Sequence, residues 1–186
     1  MMRMFFGLDL AGADKLAIDT WRNKMLPPLT QPVSTTNLHI TLAFLGEVPS
    51  SHYESVFMAA RQVCGQAFDL HINQTGYWSK PKVYWIGPAS IPDELLDLAR
   101  QLRSQLAYQG LPTDPRPYQP HISLFRKLRE NPPAPLCEPD MRLSFKSFCL
   151  FESHSSSSGV NYRVLEQWPL AVAGSVRERL ARGELD

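Results

Sequence analysis

Two tetrapeptides carry residues able to move protons and hold an anion: His39-Ile40-Thr41-Leu42 and His121-Ile122-Ser123-Leu124. Each reads histidine, aliphatic, hydroxyl, aliphatic. On a β-strand, residues two apart share a face and lie about 6.6 Å apart, so each imidazole and its hydroxyl partner point the same way. The aliphatic residues turn to the opposite, buried side. In-line displacement at phosphorus needs a base beside the attacking oxygen and an acid beside the leaving oxygen, on opposite sides. Two histidines from separate strands can straddle a phosphate in this way. Histidine suits both tasks, because its unperturbed pKa of about 6.5 lets one ring be neutral and the other protonated near neutral pH. The hydroxyls of Thr41 and Ser123 can donate to the non-bridging oxygens as charge develops. This scheme uses no metal and no cofactor.

A single tetrapeptide of this kind is ordinarily a packed or solvent-facing strand. Two copies at matching places in two similar half-chains are not expected from packing alone. The other histidines are an internal comparison: His71-Ile72-Asn73-Gln74 lacks the hydroxyl, His52 starts a helix, and His154 lies among serines. Each of these reads as structural or solvent-exposed.

The elements that position the motifs follow from periodicity. Phe5, Phe6, Leu8 and Leu10 mark a first strand, and Leu16, Ile18, Trp21 and Met25 mark the inner face of a helix over Ala13 to Met25. Leu38 to Leu45 is a strand ended by Gly46, and Ser50 or Ser51 caps a helix through Val63. A second cycle begins with a strand-like segment from Phe68 to Gln74 and a strand from Lys82 to Gly87. It continues with a helix from Pro92 to Gln109, with Leu95, Leu98, Leu102 and Leu106 on one side, and reaches the second motif at Pro120 to Phe125. The repeat suggests a single domain over 1–186, built from duplicated half-chains with a cleft between two lobes. Asn131-Pro132-Pro133-Ala134-Pro135 is a connector, since proline lacks the ladder donor and restrains its predecessor. Met141 to Phe151 and Val160 to Trp168 are strands joined through the flexible loop Ser153 to Gly159, and Val176 to Asp186 is a short terminal helix.

Composition narrows the class. At 186 residues, 44% hydrophobic and 20% charged, the chain has the balance of a soluble globular protein with a substantial core. A net charge of +1 provides no global field for long nucleic acid, so any such contact is local, at an end or a single nucleotide. Cys64, Cys137 and Cys149 are odd in number and lack paired spacing, which argues against a disulfide framework or zinc cluster and for a reducing, cytoplasmic compartment. No stretch approaches the roughly 18 apolar residues of a membrane span.

The motifs resemble the paired His-x-Thr/Ser-x signatures of the 2H phosphoesterase superfamily. They are closest to those of the bacterial RNA 2′,3′-cyclic phosphodiesterases, also called 2′-5′ RNA ligases. The likeness extends to the opening Phe5-Phe6-Gly7-Leu8-Asp9-Leu10, to the run from Asn37 to Gly46, and to Arg116-Pro117-Tyr118-Gln119-Pro120 before His121. The resemblance implies a bilobal α+β fold in which two pseudo-symmetric antiparallel sheets flank a central groove, with helices outside. It implies hydrolysis of RNA 2′,3′-cyclic phosphate ends to 2′-phosphomonoesters, with reversible 2′-5′ ligation; separately, a monomer is expected, with tRNA fragments among the candidate substrates. It gives His39 the role of proton donor to the leaving 3′ oxygen and His121 that of the acceptor activating water, roles that exchange in reverse. Thr41 and Ser123 would hold the phosphate, and Arg126 would add charge-assisted hydrogen bonds. Simple alternation puts Arg126 on the face away from His121, so that role requires a bulge or a strand end. Phe44, Tyr118 and Phe125 are candidates to stack on a base. The alternatives are a nucleotide-binding module without turnover, a relative acting on another cyclic phosphate or a 2′-5′ linked oligonucleotide, and a metallohydrolase, for which the carboxylate ligands are wanting.

Overall fold

The computed structural model describes residues 1–156 and 159–172. The strands are β1 (Met2–Asp9), β2 (His39–Val48), β3 (Phe68–Ile72), β4 (Gln74–Trp78), β5 (Val83–Gly87), β6 (Ile122–Phe125), β7 (Met141–Phe145), β8 (Ser147–Ser156) and β9 (Gly159–Pro169). The helices are α1 (Gly12–Met25), α2 (Tyr53–Arg61) and α3 (Asp93–Tyr108). The expected α+β class with two antiparallel sheets holds: seven strands in the order β4-β5-β6-β2-β1-β8-β9, and the separate pair β3-β7. The two antiparallel groups of the larger sheet meet at one residue pair, Ile40 opposite Ile122. Both isoleucines are fully buried, as the motif's aliphatic positions require.

Several boundaries move for identifiable reasons. The Phe68 to Gln74 run divides at Asn73, and the Met141 to Phe151 run divides at Lys146, because each chain leaves the β3-β7 pair for the larger sheet. β2 does not stop at Gly46 but continues to Val48; Gly46 takes φ +71° beside the extra residue Leu45, a conformation glycine adopts without a Cβ penalty. The serine segment expected as a loop is largely strand, because β8 runs to Ser156 and β9 begins at Gly159, with residues 157–158 outside the described residues. The terminal helix expected over Val176 to Asp186 also lies outside them. Before α2, Ser50–His52 forms a 3-10 turn with no side-chain cap, in place of the expected capped helix start.

In α3, Leu95, Leu98, Leu102 and Leu106 are all buried on one face, as their spacing predicts; α3 packs against α2 and β2. In α1 the expected inner face is only partly right. Ile18 is buried, but Leu16 is exposed and Arg22 is buried in its place. Arg22 is tolerated there because its guanidinium is satisfied: it donates to the Val33 carbonyl at 2.7 Å and the Leu124 carbonyl at 3.2 Å, pairs with Asp19, and lies over the Phe125 ring.

Two bulges decide which side chains reach the motif face. Along β1 the partner on β2 jumps from Ala43 to Thr41, leaving Leu42 as the extra residue. Along β5 the partner on β6 jumps from Phe125 to Ser123, leaving Leu124 as the extra residue. Each leucine is the last residue of its tetrapeptide. A bulge sets two residues against one and displaces the alternation of faces. Phe44 and Arg126, each five residues after a motif histidine, are thereby returned to the face of His39 and His121. Arg22 grips the second bulge directly through the Leu124 carbonyl. Arg22→Leu is expected to lower the unfolding free energy by about 1.5–3 kcal/mol, the worth of a charged hydrogen bond. The check is a lower urea midpoint at unchanged slope.

Candidate active site

His39, the first residue of β2, is 7% exposed. Its Nδ1 lies 2.6 Å from the carbonyl oxygen of Asn37 and its Nε2 lies 3.1 Å from Thr41 Oγ1. A carbonyl only accepts, so Nδ1 carries the proton and Nε2 holds the lone pair, to which the Thr41 hydroxyl donates. The ring is walled by Phe5 at 4.8 Å, Tyr162 edge-on at 4.9 Å and Phe151 at 5.9 Å. Burial is the main reason its pKa falls to about 4; the Asn37 carbonyl opposes the shift, and the charges of Arg126, His121 and Lys15 reinforce it.

His121, immediately before β6, repeats the arrangement. Its Nδ1 donates at 3.0 Å to the Gln119 carbonyl, again two residues back, and leaves Nε2 as acceptor. Trp78 stands edge-on to it at 4.5 Å and Trp85 lies 6.4 Å away. Trp85 fits because Gly76 lacks a side chain: a Cβ there would come within 2.1 Å of the indole. Burial lowers the pKa of His121 too, against the pull of the Gln119 carbonyl, and Arg126 adds to the lowering.

The Ile40–Ile122 pair relates the two motifs. Continuing that antiparallel register one residue each way sets Thr41 opposite His121 and His39 opposite Ser123, all four on the face the isoleucines leave. Thr41 and His121 line a groove of about 590 Å³ together with Phe44, Trp78 and Tyr118. His39 lies behind Thr41, outside that lining, and Ser123 is buried opposite Trp85. Arg126 is exposed, and its charge bears on both imidazoles, which places it by the site. Phe44 is 55% exposed on the groove, whereas Phe125 is buried and stacked on Tyr84, so it faces the core.

Among the described residues, His52 is exposed beside Ser51, His71 pairs with Asp140 at 2.6 Å, and His154 pairs with Glu152 at 2.7 Å. No group of three His, Cys, Asp or Glu among them is arranged to hold a metal. No helix among them is long and apolar enough to cross a membrane.

Two positioning residues escape the sequence reading. The Asn37 side chain donates to the Val160 carbonyl at 2.5 Å and accepts from the Tyr162 amide at 3.2 Å, tying β9 to the segment whose carbonyl orients His39. Tyr118, noted only as a stacking candidate, donates to the Thr41 carbonyl at 3.2 Å and so joins the second half to the first motif. The available signal for Asn37 is an amide side chain two residues before the first motif histidine; Tyr118 carries no such signal.

The chain belongs to the 2′-5′ RNA ligase superfamily, whose profile matches residues 10–152. It is 34% identical over 169 residues to the RNA 2′,3′-cyclic phosphodiesterase of Escherichia coli K12, covering 90% of this chain and 96% of that protein. A crystal structure of a phosphoesterase superposes with a TM-score of 0.86 at 34% identity, covering 91% of this chain and 98% of that one. E. coli LigT complexed with 3′-AMP gives 0.82 at 34% identity and the same coverage.

The low pKa of His39 has a consequence for stability. The folded state resists protonating this ring, so between pH 6.5 and about 4 the unfolded chain binds more protons. The contribution is complete above pH 6.5 and is lost as pH falls toward 4, by as much as roughly 3 kcal/mol. Urea unfolding at pH 7.5 and 4.5 should show wild type losing more stability on acidification than His39→Gln does.

Proposed function

We propose that this chain hydrolyses RNA ends carrying a 2′,3′-cyclic phosphate to 2′-phosphomonoesters, without a metal or cofactor. The observation that carries the reading is the pair of imidazoles, each held by an Nδ1 bond to a carbonyl two residues back, each keeping an unprotonated Nε2 on the motif face, that of His39 beside the Thr41 hydroxyl. Family membership and the E. coli relative's name support the substrate, and LigT's 3′-AMP complex shows that a relative accepts a nucleotide.

His121 borders the open groove and removes a proton from the attacking water. The new P–O bond forms as the bond from phosphorus to the 3′ oxygen breaks, and His39 gives that oxygen its proton. Deep burial makes the His39 imidazolium a strong acid, and the substrate's phosphate anion supplies the charge that lets it form. Thr41, Ser123 and Arg126 stabilise the non-bridging oxygens, and Phe44 offers a face for the base. With a 5′ hydroxyl in place of water the same two roles form a 2′-5′ link; when the 3′ hydroxyl attacks that link and expels the 5′ oxygen, the histidines exchange roles.

The repeated carbonyl lock and the repeated bulge support a single bilobal domain of duplicated half-chains over 1–186. Free cysteines, two of them exposed, fit a reducing cytoplasm. We read the chain as a monomer acting on RNA ends such as those of tRNA fragments.

With chelator present, RNA ending in a 2′,3′-cyclic phosphate should yield a 2′-phosphate; a 3′-phosphate product, or turnover only with added metal, contradicts the reading. His39→Ala and His121→Ala should each reduce kcat by about 10²- to 10⁴-fold. Because both free imidazoles titrate low, kcat/KM should peak on the acid side of pH 6.5 and kcat at a higher pH, as bound phosphate raises both pKa values. Coincident profiles at alkaline pH would contradict the assignment.

A further inference from the structure

Beyond the histidines and aromatic residues, the groove contains charges that a terminal nucleotide does not use. Lys80, Arg103 and Arg116 line it together with one carboxylate, Asp114. Arg116 is committed: its Nε donates to both Asp114 oxygens, at 2.9 and 3.0 Å. Arg103 donates to the Arg116 carbonyl at 2.9 Å, and among the described residues neither Lys80 nor Arg103 forms an ion pair. One carboxylate against three cations leaves the rim two positive charges in excess. Arg126, which serves the reacting phosphate, is not part of this lining.

A nucleoside 2′,3′-cyclic phosphate has a single anionic group, and that group sits at the histidines. An RNA end carries its next phosphate one nucleotide upstream. The groove runs from His121 past Trp78, whose ring touches that histidine, to Lys80 two residues further along the same segment. A cationic track beside aromatic faces is how single-stranded nucleic acid is held without reading its sequence.

We infer that Lys80 and Arg103 form a subsite for the phosphodiester 5′ to the terminal nucleotide, making the substrate an oligonucleotide end rather than a free cyclic nucleotide. The inference rests on the proposed hydrolysis, and the mononucleotide separates the two. Its turnover depends on the histidines and not on an upstream phosphate.

The test compares kcat/KM for a short RNA ending in a 2′,3′-cyclic phosphate with that for the matching nucleoside 2′,3′-cyclic phosphate, at 50 and 200 mM salt. Each phosphate contact with a single strand adds about −0.7 to the salt slope. Two contacts therefore predict a fall of about sevenfold in the ratio of oligonucleotide to mononucleotide kcat/KM over that range. In Lys80→Ala the ratio at low salt should drop and its salt-dependent fall should shrink to about 2.6-fold. Lys80→Glu should reduce the ratio further. A ratio independent of salt, or equal in wild type and Lys80→Glu, overturns the subsite while leaving the hydrolysis standing. Absence of turnover on both substrates overturns the hydrolysis and the subsite with it.

Discussion

The antiparallel contact of Ile40 with Ile122 is the constraint on which the site depends. Each isoleucine follows a motif histidine and is fully buried, so the core fixes the height and facing of both strands at the point where they meet. An antiparallel pair presents directly opposed residues on the same side. Anchoring the two aliphatic positions therefore directs His39, Thr41, His121 and Ser123 together to the other side. A slip of one residue would reverse every one of them, and burial of the isoleucines opposes that slip. With so short a junction the strands are free to diverge, which gives the groove room beside the pair.

Facing is not orientation, and the rings are oriented by hydrogen bonds local to each motif. Asn37 and Gln119 supply the carbonyls, and both Nδ1 atoms are consumed by them. The protein environment then disfavours a second proton on each ring, chiefly through burial and then through the charge of Arg126. The resting site is electrostatically prepared for an anion: it has hydroxyls, an arginine and two rings that become easier to protonate when negative charge arrives. Phe44 and Arg126 complete the correspondence, one apolar and one cationic, each brought round by a bulge at the leucine that ends its motif.

Much of this was legible in the sequence because strand period and side-chain chemistry are local. The tetrapeptides, the apolar face of α3 and the α+β class follow from spacing. The bulges at Leu42 and Leu124 are different, since they arise from pairing with β1 and β5 and leave no mark on the strand that carries them. Hence Arg126 sat on the wrong side by simple alternation, and Phe44 and Phe125 read alike although only Phe44 reaches the groove. Arg22 eluded periodicity for a related reason: the carbonyls that satisfy it belong to Val33 and to Leu124, 102 positions away. The Asn37 clamp depends on β9, more than 120 positions later.

The central claim is that both histidines rest neutral with the proton on Nδ1 and an unprotonated Nε2. Nitrogen-15 NMR of histidine-labelled protein at pH 7 reads this directly. The account predicts that the signals of His39 and His121, assigned by the loss of each in its alanine variant, report the Nδ1–H tautomer, and that added phosphate moves both toward imidazolium. A proton on Nε2 of either ring, or a charged His39 at pH 7 without ligand, would contradict it.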